Sequence, residues 1–249
     1  MGESQEVELQ TRLNKVLELM RKRGYEIRSK VRIKVDRKLN IMGYTKREGD
    51  SYTIFVSEWS LESGMLDGLI LHELAHVYFI ERSSVTHRAD MVSELLDNIS
   101  KLEGLRKREV EYLLEAYNHL QNIIVDDLVF ELIDSTMERN VKSFFQQWVT
   151  DKATGDPVAD AAILCRNAFA IASLKRRNLL RDNDFASTVN RRFLDKLGRN
   201  ARKDFDWIER FLESVNPNVS EEKFRSMLEQ YFERIIGAMR TAPWIEDLK

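Results

Sequence analysis

The chain of 249 residues is poor in the residue types that break or cross-link a polypeptide. It has one cysteine, three prolines and ten glycines. A single cysteine excludes an internal disulfide and is typical of a reducing compartment, so we expect a cytoplasmic protein. Cys165 lies in the apolar stretch AAILCRNAFA, which predicts a small core residue. Because proline and glycine are scarce, long and uninterrupted helices are favoured.

Long apolar runs and an excess of either charge are also missing. No apolar segment approaches the length of a membrane span, and the first fifteen residues are polar and acidic. We therefore expect neither a membrane protein nor a secretory signal. The formal net charge is −2, so the chain as a whole is not expected to attract polyanions. The length suffices for one large domain or two small ones with a buried core.

The hydrophobic pattern near the N-terminus predicts one helix and then a small sheet. Apolar residues recur with helical spacing over residues 4–24. From residue 25 to residue 39 they alternate with polar residues, as in a half-exposed strand. The turn residues Glu48-Gly49-Asp50 predict a hairpin whose second arm covers residues 52–57.

Every segment after Ser60 has helical spacing, and Ser60 itself is the expected N-cap of a helix over residues 61–82. Further helices are predicted over residues 88–103, 106–137, 139–150, 157–180, 186–197, 199–214 and 219–239. The fold class is therefore α+β, with a small N-terminal antiparallel sheet followed by a mostly helical C-terminal half. We expect a first domain over residues 1–150 and a helical region over residues 151–249 packed on it.

The most informative segment is DGLILHELAHVYFIE, residues 67–81. His72 and His76 are four residues apart, so on a helix they lie one turn apart on the same face and can bind one metal ion. Glu73 is rotated by about 100° from His72, beside such an ion. There it can accept a proton from a zinc-activated water as a general base. This HExxH spacing is typical of zinc metallopeptidases and predicts a peptide-bond hydrolase with Zn2+ as its cofactor.

The same spacing also occurs by chance, with two histidines as hydrogen-bonded core residues. The residues around the motif are apolar on nearly every side, so the helix is expected to be central. Buried histidines and a buried glutamate are costly unless each finds a partner. A single metal ion can satisfy these side chains, whereas hydrogen bonding would require a separate partner for each of them. We therefore favour the metal site.

A catalytic zinc ion of this type needs a third protein ligand. Arg82 stands where metzincins have a histidine, which excludes the metzincin spacing. His87, in an expected loop or helix start, is a weaker candidate ligand that can also line the cleft, and His119 has polar helical neighbours that predict a solvated face. Asp126 and Asp127 are stronger candidates, because they interrupt an apolar helical stretch and buried acids need partners.

The order of these motifs resembles that of gluzincin-type metallopeptidases. In that family a second helix reads roughly Glu-x-x-Ala-Asp or Glu-x-x-Ala-Asn; its glutamate binds zinc, and the residue four later supports a metal-binding histidine. The matching segment here is Asn122-Ile-Ile-Val-Asp126, so asparagine stands at the position of the carboxylate ligand. Asparagine is a poor zinc ligand, and we therefore predict Asp126 as the third ligand, with Asp127 as the alternative.

Residues 50–135 also resemble an uncharacterised family of archaeal HExxH proteins. The two resemblances imply a zincin-like metallopeptidase domain over residues 1–150. In gluzincins the strand before the HExxH helix borders the cleft, so residues 52–57 are expected to pair with an extended peptide or protein substrate. An ordinary core strand is the other interpretation of that segment.

Two other functions remain open at this stage. The asparagine at position 122 is compatible with a non-catalytic zinc-stabilised scaffold or binding protein. A basic tract over residues 175–203 is compatible with a protease that acts on DNA-bound proteins, although its interspersed acids favour a solvated helical face. The oligomeric state is not predicted.

Overall fold

A computed structural model describes residues 3–181 and 183–240 of the chain. Within these ranges the strands are β1 (Lys30–Asp36), β2 (Gly43–Glu48) and β3 (Ser51–Ser57). The helices are α1 (Glu3–Lys22), α2 (Leu66–Glu81), α3 (Ala89–Glu103), α4 (Lys107–Leu132), α5 (Ser135–Trp148), α6 (Pro157–Lys175), α7 (Phe185–Leu197), α8 (Arg199–Ser214) and α9 (Glu221–Arg240). The predicted α+β class is confirmed.

The sheet is mixed, whereas the sequence predicted an antiparallel one. Its strand order is β1-β3-β2, with β2 antiparallel and β1 parallel to β3. The hairpin between β2 and β3 is confirmed, with Gly49 at φ +63° in the turn. The apolar strand β3 buries Tyr52, Ile54 and Val56 and therefore takes the centre, while the more polar β1 and β2 form the edges.

This strand order corrects the predicted substrate strand. Residues 52–57 belong to β3, which pairs along its length with β1 on one side and β2 on the other. Its backbone groups are therefore engaged and cannot bind a peptide. Within the described residues, β2 is hydrogen-bonded to β3 alone, so its outer edge faces no further strand.

The helix that carries the HExxH motif begins later than predicted. Ser60 lies in a short 3₁₀ turn, where its hydroxyl donates to the carbonyl of Ser57 at 2.7 Å. Gly64, at φ +68°, separates this turn from α2, whose N-cap is Met65. The N-cap prediction for Ser60 is therefore wrong, because a glycine in the left-handed region interrupts the helical path.

The described chain divides into two compact units that are not continuous in sequence. The sheet unit lies within residues 1–87 and 125–141, and the helical unit lies within residues 88–124 and 142–249. The residues of α4 from Val125 onward thus belong to the sheet unit, together with α2. The predicted domain boundary at residue 150 stays a prediction.

The core of the sheet unit surrounds α2, as its apolar sequence predicted. Leu74 and Ala75 have no exposed surface, and the apolar sides of α1, β3 and the end of α4 pack with this helix in one cluster. Residues that represent these elements in the cluster are Leu13, Ile54, Ile70, Val77, Val125 and Leu128. The HExxH helix is therefore held on several sides by apolar packing.

The core of the helical unit is built around α6. This helix begins with Asp156 as N-cap, whose carboxylate accepts from the backbone of Val158 and Ala159, and it packs against α8 and α9. Cys165 is buried on it, which confirms a core cysteine. Among the described helices, α6 alone is long and apolar enough to cross a membrane by length and composition, and 72% of that window is buried inside the protein.

Candidate metal centre

The two histidines of α2 present the same ring nitrogen to one point. The Nε2 atoms of His72 and His76 lie 3.3 Å apart, and the ring centroids are 4.9 Å apart at 73°. For a tetrahedral zinc ion with bonds of about 2.0–2.1 Å, two ligand nitrogens are separated by about 3.3 Å. The spacing of the two Nε2 atoms therefore matches one edge of such a coordination tetrahedron.

A buried carboxylate holds the other edge of the His72 ring. The Oδ1 atom of Asp126 lies 2.9 Å from Nδ1 of His72, and Asp126 is only 5% exposed. Its second oxygen, Oδ2, has no hydrogen-bond partner within the described residues. Since Nδ1 and Nε2 point to opposite sides of an imidazole, Asp126 lies behind His72 as seen from His76.

A third histidine holds the corresponding edge of the His76 ring. The Nε2 atom of His87 lies 3.0 Å from Nδ1 of His76, and Nδ1 of His87 lies 2.9 Å from the hydroxyl of Thr86. The His87 ring also stacks on Phe79, with centroids 5.3 Å apart. Burial, with a smaller contribution from the charge of His72, lowers the pKa of His87 to about 4, so this ring is neutral near neutral pH.

The candidate general base lies next to the edge strand. Glu73 is 7% exposed, and its Oε2 accepts a hydrogen bond of 2.8 Å from the hydroxyl of Thr45 on β2. Burial raises the pKa of Glu73, while the charge of His72 and the Thr45 bond oppose that shift. Gly43 allows the approach of β2 to α2, because a Cβ there would lie 2.9 Å from the carbonyl oxygen of Phe55 and 3.2 Å from Leu69.

The predicted third ligand is the incomplete part of this arrangement. Within residues 3–181 and 183–240, no group of three or more His, Cys, Asp or Glu side chains surrounds a common point as metal ligands would. Asp126 and His87 contact the two rings at their Nδ1 atoms. Only His72 and His76 therefore direct nitrogen atoms, their Nε2 atoms, to a common point. Asp127 and Asn122 are both half-buried on α4. The ligand roles of Asp126 and Asp127 stay predictions.

The remaining histidine lies elsewhere and is buried, contrary to its predicted solvated face. His119 belongs to the helical unit, is 5% exposed and stacks on Phe169 of α6 with centroids 4.8 Å apart. Its Nδ1 atom has no hydrogen-bond partner in the described part of the chain. The polar neighbours in sequence were misleading, because α6 covers this side of α4.

The basic tract over residues 175–203 makes many of its contacts inside the helical unit. Its ion pairs include Lys175 with Glu209, Arg192 with Asp151, and Arg202 with Asp195. The guanidinium of Arg176 donates to backbone carbonyls at the end of α8. Such contacts are typical of a solvated helical surface, and contact with nucleic acid stays a prediction.

Comparison with known proteins gives a family but no activity. The model of a family of unknown function, DUF5781, matches residues 15–230. The chain belongs to this family. No curated protein and no solved structure matches it.

Sequence reasoning found the two histidines and the glutamate of the site but not all of their partners. Thr45 was not predicted, because its distance of 28 residues from Glu73 carries no periodic signal. Thr86 was also missed, and His87 was considered as a metal ligand or as a residue that lines the cleft, but not as a partner of His76. A histidine and three hydroxyl residues in the segment SSVTH, shortly after the motif helix, were the available signal.

Proposed function

We propose that this protein is a zinc-dependent metallopeptidase in which His72 and His76 bind the metal through Nε2 and Glu73 is the general base. The observation that carries the proposal is the convergence of the two Nε2 atoms at 3.3 Å, beside a buried glutamate. The HExxH spacing and the apolar packing of α2 support it further.

The side chains around the pair fit a zinc ion. Metal-binding histidines almost always donate their second N–H to a carboxylate, a carbonyl or another acceptor, which fixes the tautomer of the ring. Both histidines have a partner at Nδ1 that can accept this hydrogen, Asp126 for His72 and a neutral His87 for His76. A zinc ion supplies Lewis-acid polarisation of a carbonyl and lowers the pKa of a water molecule that it binds.

The proton transfers are assigned to Glu73. Its carboxylate takes a proton from the attacking water and returns it to the nitrogen of the leaving amine. Burial raises the pKa of this carboxylate, which makes it a stronger base than an exposed glutamate. The hydroxyl of Thr45 fixes one carboxylate oxygen at 2.8 Å and so limits the rotation of the side chain.

The substrate strand of the proposal is β2. Its outer edge carries unpaired backbone groups within the described residues, and an extended peptide can pair with such an edge. Thr45 lies on this strand and contacts Glu73, so a peptide on β2 is brought beside the general base. A peptide or a locally unfolded protein segment is therefore the proposed substrate class.

The test combines zinc content with peptidase activity against a library of quenched fluorescent peptides. We expect Glu73→Gln to keep its zinc and to lose activity by about 10²–10⁴-fold, the usual contribution of a general base. The matched control is Asp67→Asn, an equivalent change on the same helix at an exposed residue that pairs with Arg12. Full activity of Glu73→Gln with zinc retained would contradict the mechanism.

A second function is favoured by one observation, the asparagine at position 122 where the gluzincin pattern has its carboxylate ligand. In this alternative the protein is a scaffold that binds zinc for stability without hydrolysis. Structural zinc sites contribute directly to folding, so chelation would then lower the melting temperature strongly. A peptidase with a preformed apolar core around α2 should lose activity on chelation with a much smaller change in melting temperature.

A further inference from the structure

We propose that His87 is a positioning residue for the metal-binding face of His76, an inference that rests on the proposed zinc site. Its Nε2 lies 3.0 Å from Nδ1 of His76, and in the proposed arrangement it accepts the hydrogen of that Nδ1. This bond fixes His76 in the tautomer that leaves Nε2 without a hydrogen and turned toward His72. His87 thus does for His76 what Asp126 does for His72.

Metal binding through Nε2 of His76 selects one of the two sets of proton positions that the hydrogen bonds around His87 allow. If His76 binds a metal through Nε2, its Nδ1 carries the hydrogen and His87 Nε2 is the acceptor. The hydrogen of His87 must then be on Nδ1, where it is donated to Thr86 Oγ1 at 2.9 Å. The hydroxyl of Thr86 lies 2.9 Å from Ser84 Oγ, to which it can donate its own hydrogen. Each of the three hydrogens shared along this chain then has one donor and one acceptor.

The backbone after α2 presents His87 in this orientation. The amide of Ser84 donates to the carbonyl of Phe79 at 3.0 Å, and the amide of His87 donates to the carbonyl of Ser84 at 2.9 Å. Ser83 adopts φ +51°, a conformation that L residues other than glycine, asparagine and aspartate seldom adopt. The Phe79 ring then stacks on His87 with an angle of 17° between the planes. Tight turning of the chain and ring stacking thus fix the acceptor before any metal binds.

The residues that hold the two histidines, Asp126 and His87, differ in charge. Asp126 is a carboxylate, whereas a neutral imidazole supports His76. A second carboxylate would add another negative charge to this partly buried site, and burying such a charge is costly. An imidazole acceptor gives the same orientation without that charge.

The first experiment compares zinc affinities of the full-length wild type, His87→Phe, His87→Gln and the control His119→Leu. Phenylalanine keeps the stacking on Phe79 but removes the acceptor, and loss of such a support costs about 10–100-fold in metal affinity. Glutamine restores an acceptor oxygen, so its affinity should recover to within a few-fold of wild type. His119→Leu should match the wild type, because it removes a histidine outside the site.

Cobalt substitution separates a supporting residue from a direct ligand. The visible spectrum of the Co(II) protein should keep its shape and intensity in His87→Phe, because the coordinated atoms stay the same. A changed coordination spectrum with complete loss of zinc would make His87 a ligand and overturn the inference. Unchanged affinity in His87→Phe would overturn it as well.

A measurement on the wild type covers the case in which a variant does not fold. Long-range ¹H–¹⁵N correlation spectra of the zinc-loaded protein should show His87 with a protonated Nδ1 and an Nε2 that is neither protonated nor metal-bound. Zinc-bound or protonated Nε2 of His87 would contradict the proposal. Failure of the wild type to bind zinc would defeat the metal centre itself, whereas zinc binding without these signals would defeat only the role of His87.

Discussion

Both units contain histidines, half-buried in the sheet unit and fully buried in the helical unit, and the two surroundings differ in how they hold the ring nitrogens. His72 and His76 have hydrogen-bond partners at Nδ1, and their Nε2 atoms lie 3.3 Å apart, as a shared ligand would require. His119 is buried at 5% exposure, stacks on Phe169 and leaves Nδ1 without a partner in the described residues. The comparison teaches that burial alone does not mark a site; the direction of the ring nitrogens does.

The largest expected effect is on metal content and tests directly whether the histidines of α2, and not His119, bind the metal. His72→Leu and His76→Leu should each lower zinc from about one ion per chain to background, because each removes one of two converging nitrogens. His119→Leu makes the same change in the helical unit and should keep the full zinc content. Elemental analysis after dialysis measures all three, and zinc loss in His119→Leu would contradict the assignment of the site to α2.

The second prediction concerns the carboxylate behind His72. Asp126→Asn removes its charge but keeps an oxygen that can accept from Nδ1, so zinc affinity should fall by about 10–100-fold. Asp127→Asn is the matched control one residue along α4 and should change affinity less than about twofold. If Asp126 is itself a ligand, zinc in Asp126→Asn falls to background, and if Asp127 is the ligand, the control shows that loss.

The third prediction concerns acid stability and belongs to His119. Burial, with a smaller contribution from Arg166, lowers its pKa from the ordinary 6.5 to about 3. Below the unfolded pKa, the unfolded chain takes up a proton that the folded chain refuses, so stability falls as pH falls. Between about pH 8 and about pH 5 the loss is about 2 kcal/mol of unfolding free energy.

Replacement of His119 tests this pH dependence. Because leucine does not titrate, the free energy of unfolding of His119→Leu should fall by about 2 kcal/mol less than that of the wild type over the same range. Urea unfolding followed by tryptophan fluorescence at a series of pH values gives both slopes, and titrations shared by the two proteins cancel. Parallel slopes would show that His119 is accessible to protons in the folded state.

The smallest expected effect is on catalysis and concerns the strand beside Glu73. Thr45→Val removes the hydrogen bond of 2.8 Å to Glu73 at nearly constant volume, so kcat should fall by about tenfold, the value of one bond to a charged group. Thr45→Ser keeps the hydroxyl and should stay within about twofold of wild type. Equal activity of all three proteins would mean that packing alone orients Glu73.

Much of the fold and part of the site were predictable because their signals are local. Helical spacing located the helices to within a few residues over most of the chain, and the apolar surroundings of the HExxH motif predicted a central α2. A spacing of four residues places His72 and His76 on one face of any helix. The boundary between α4 and α5 was placed several residues too late, since no proline or glycine marks it.

The sequence by itself thus determined the α+β class, the apolar helix of the motif and the pairing of His72 with His76, because each follows from residues within one or two turns. Only the tertiary structure decided which strand is central, that Asp126 and His87 reach the Nδ1 edges, and that α6 covers His119. These outcomes depend on chain segments that meet across long separations, such as 54 residues between His72 and Asp126. Hydrophobic periodicity predicts which face of a helix or strand is buried, but it does not predict which other segment that face contacts.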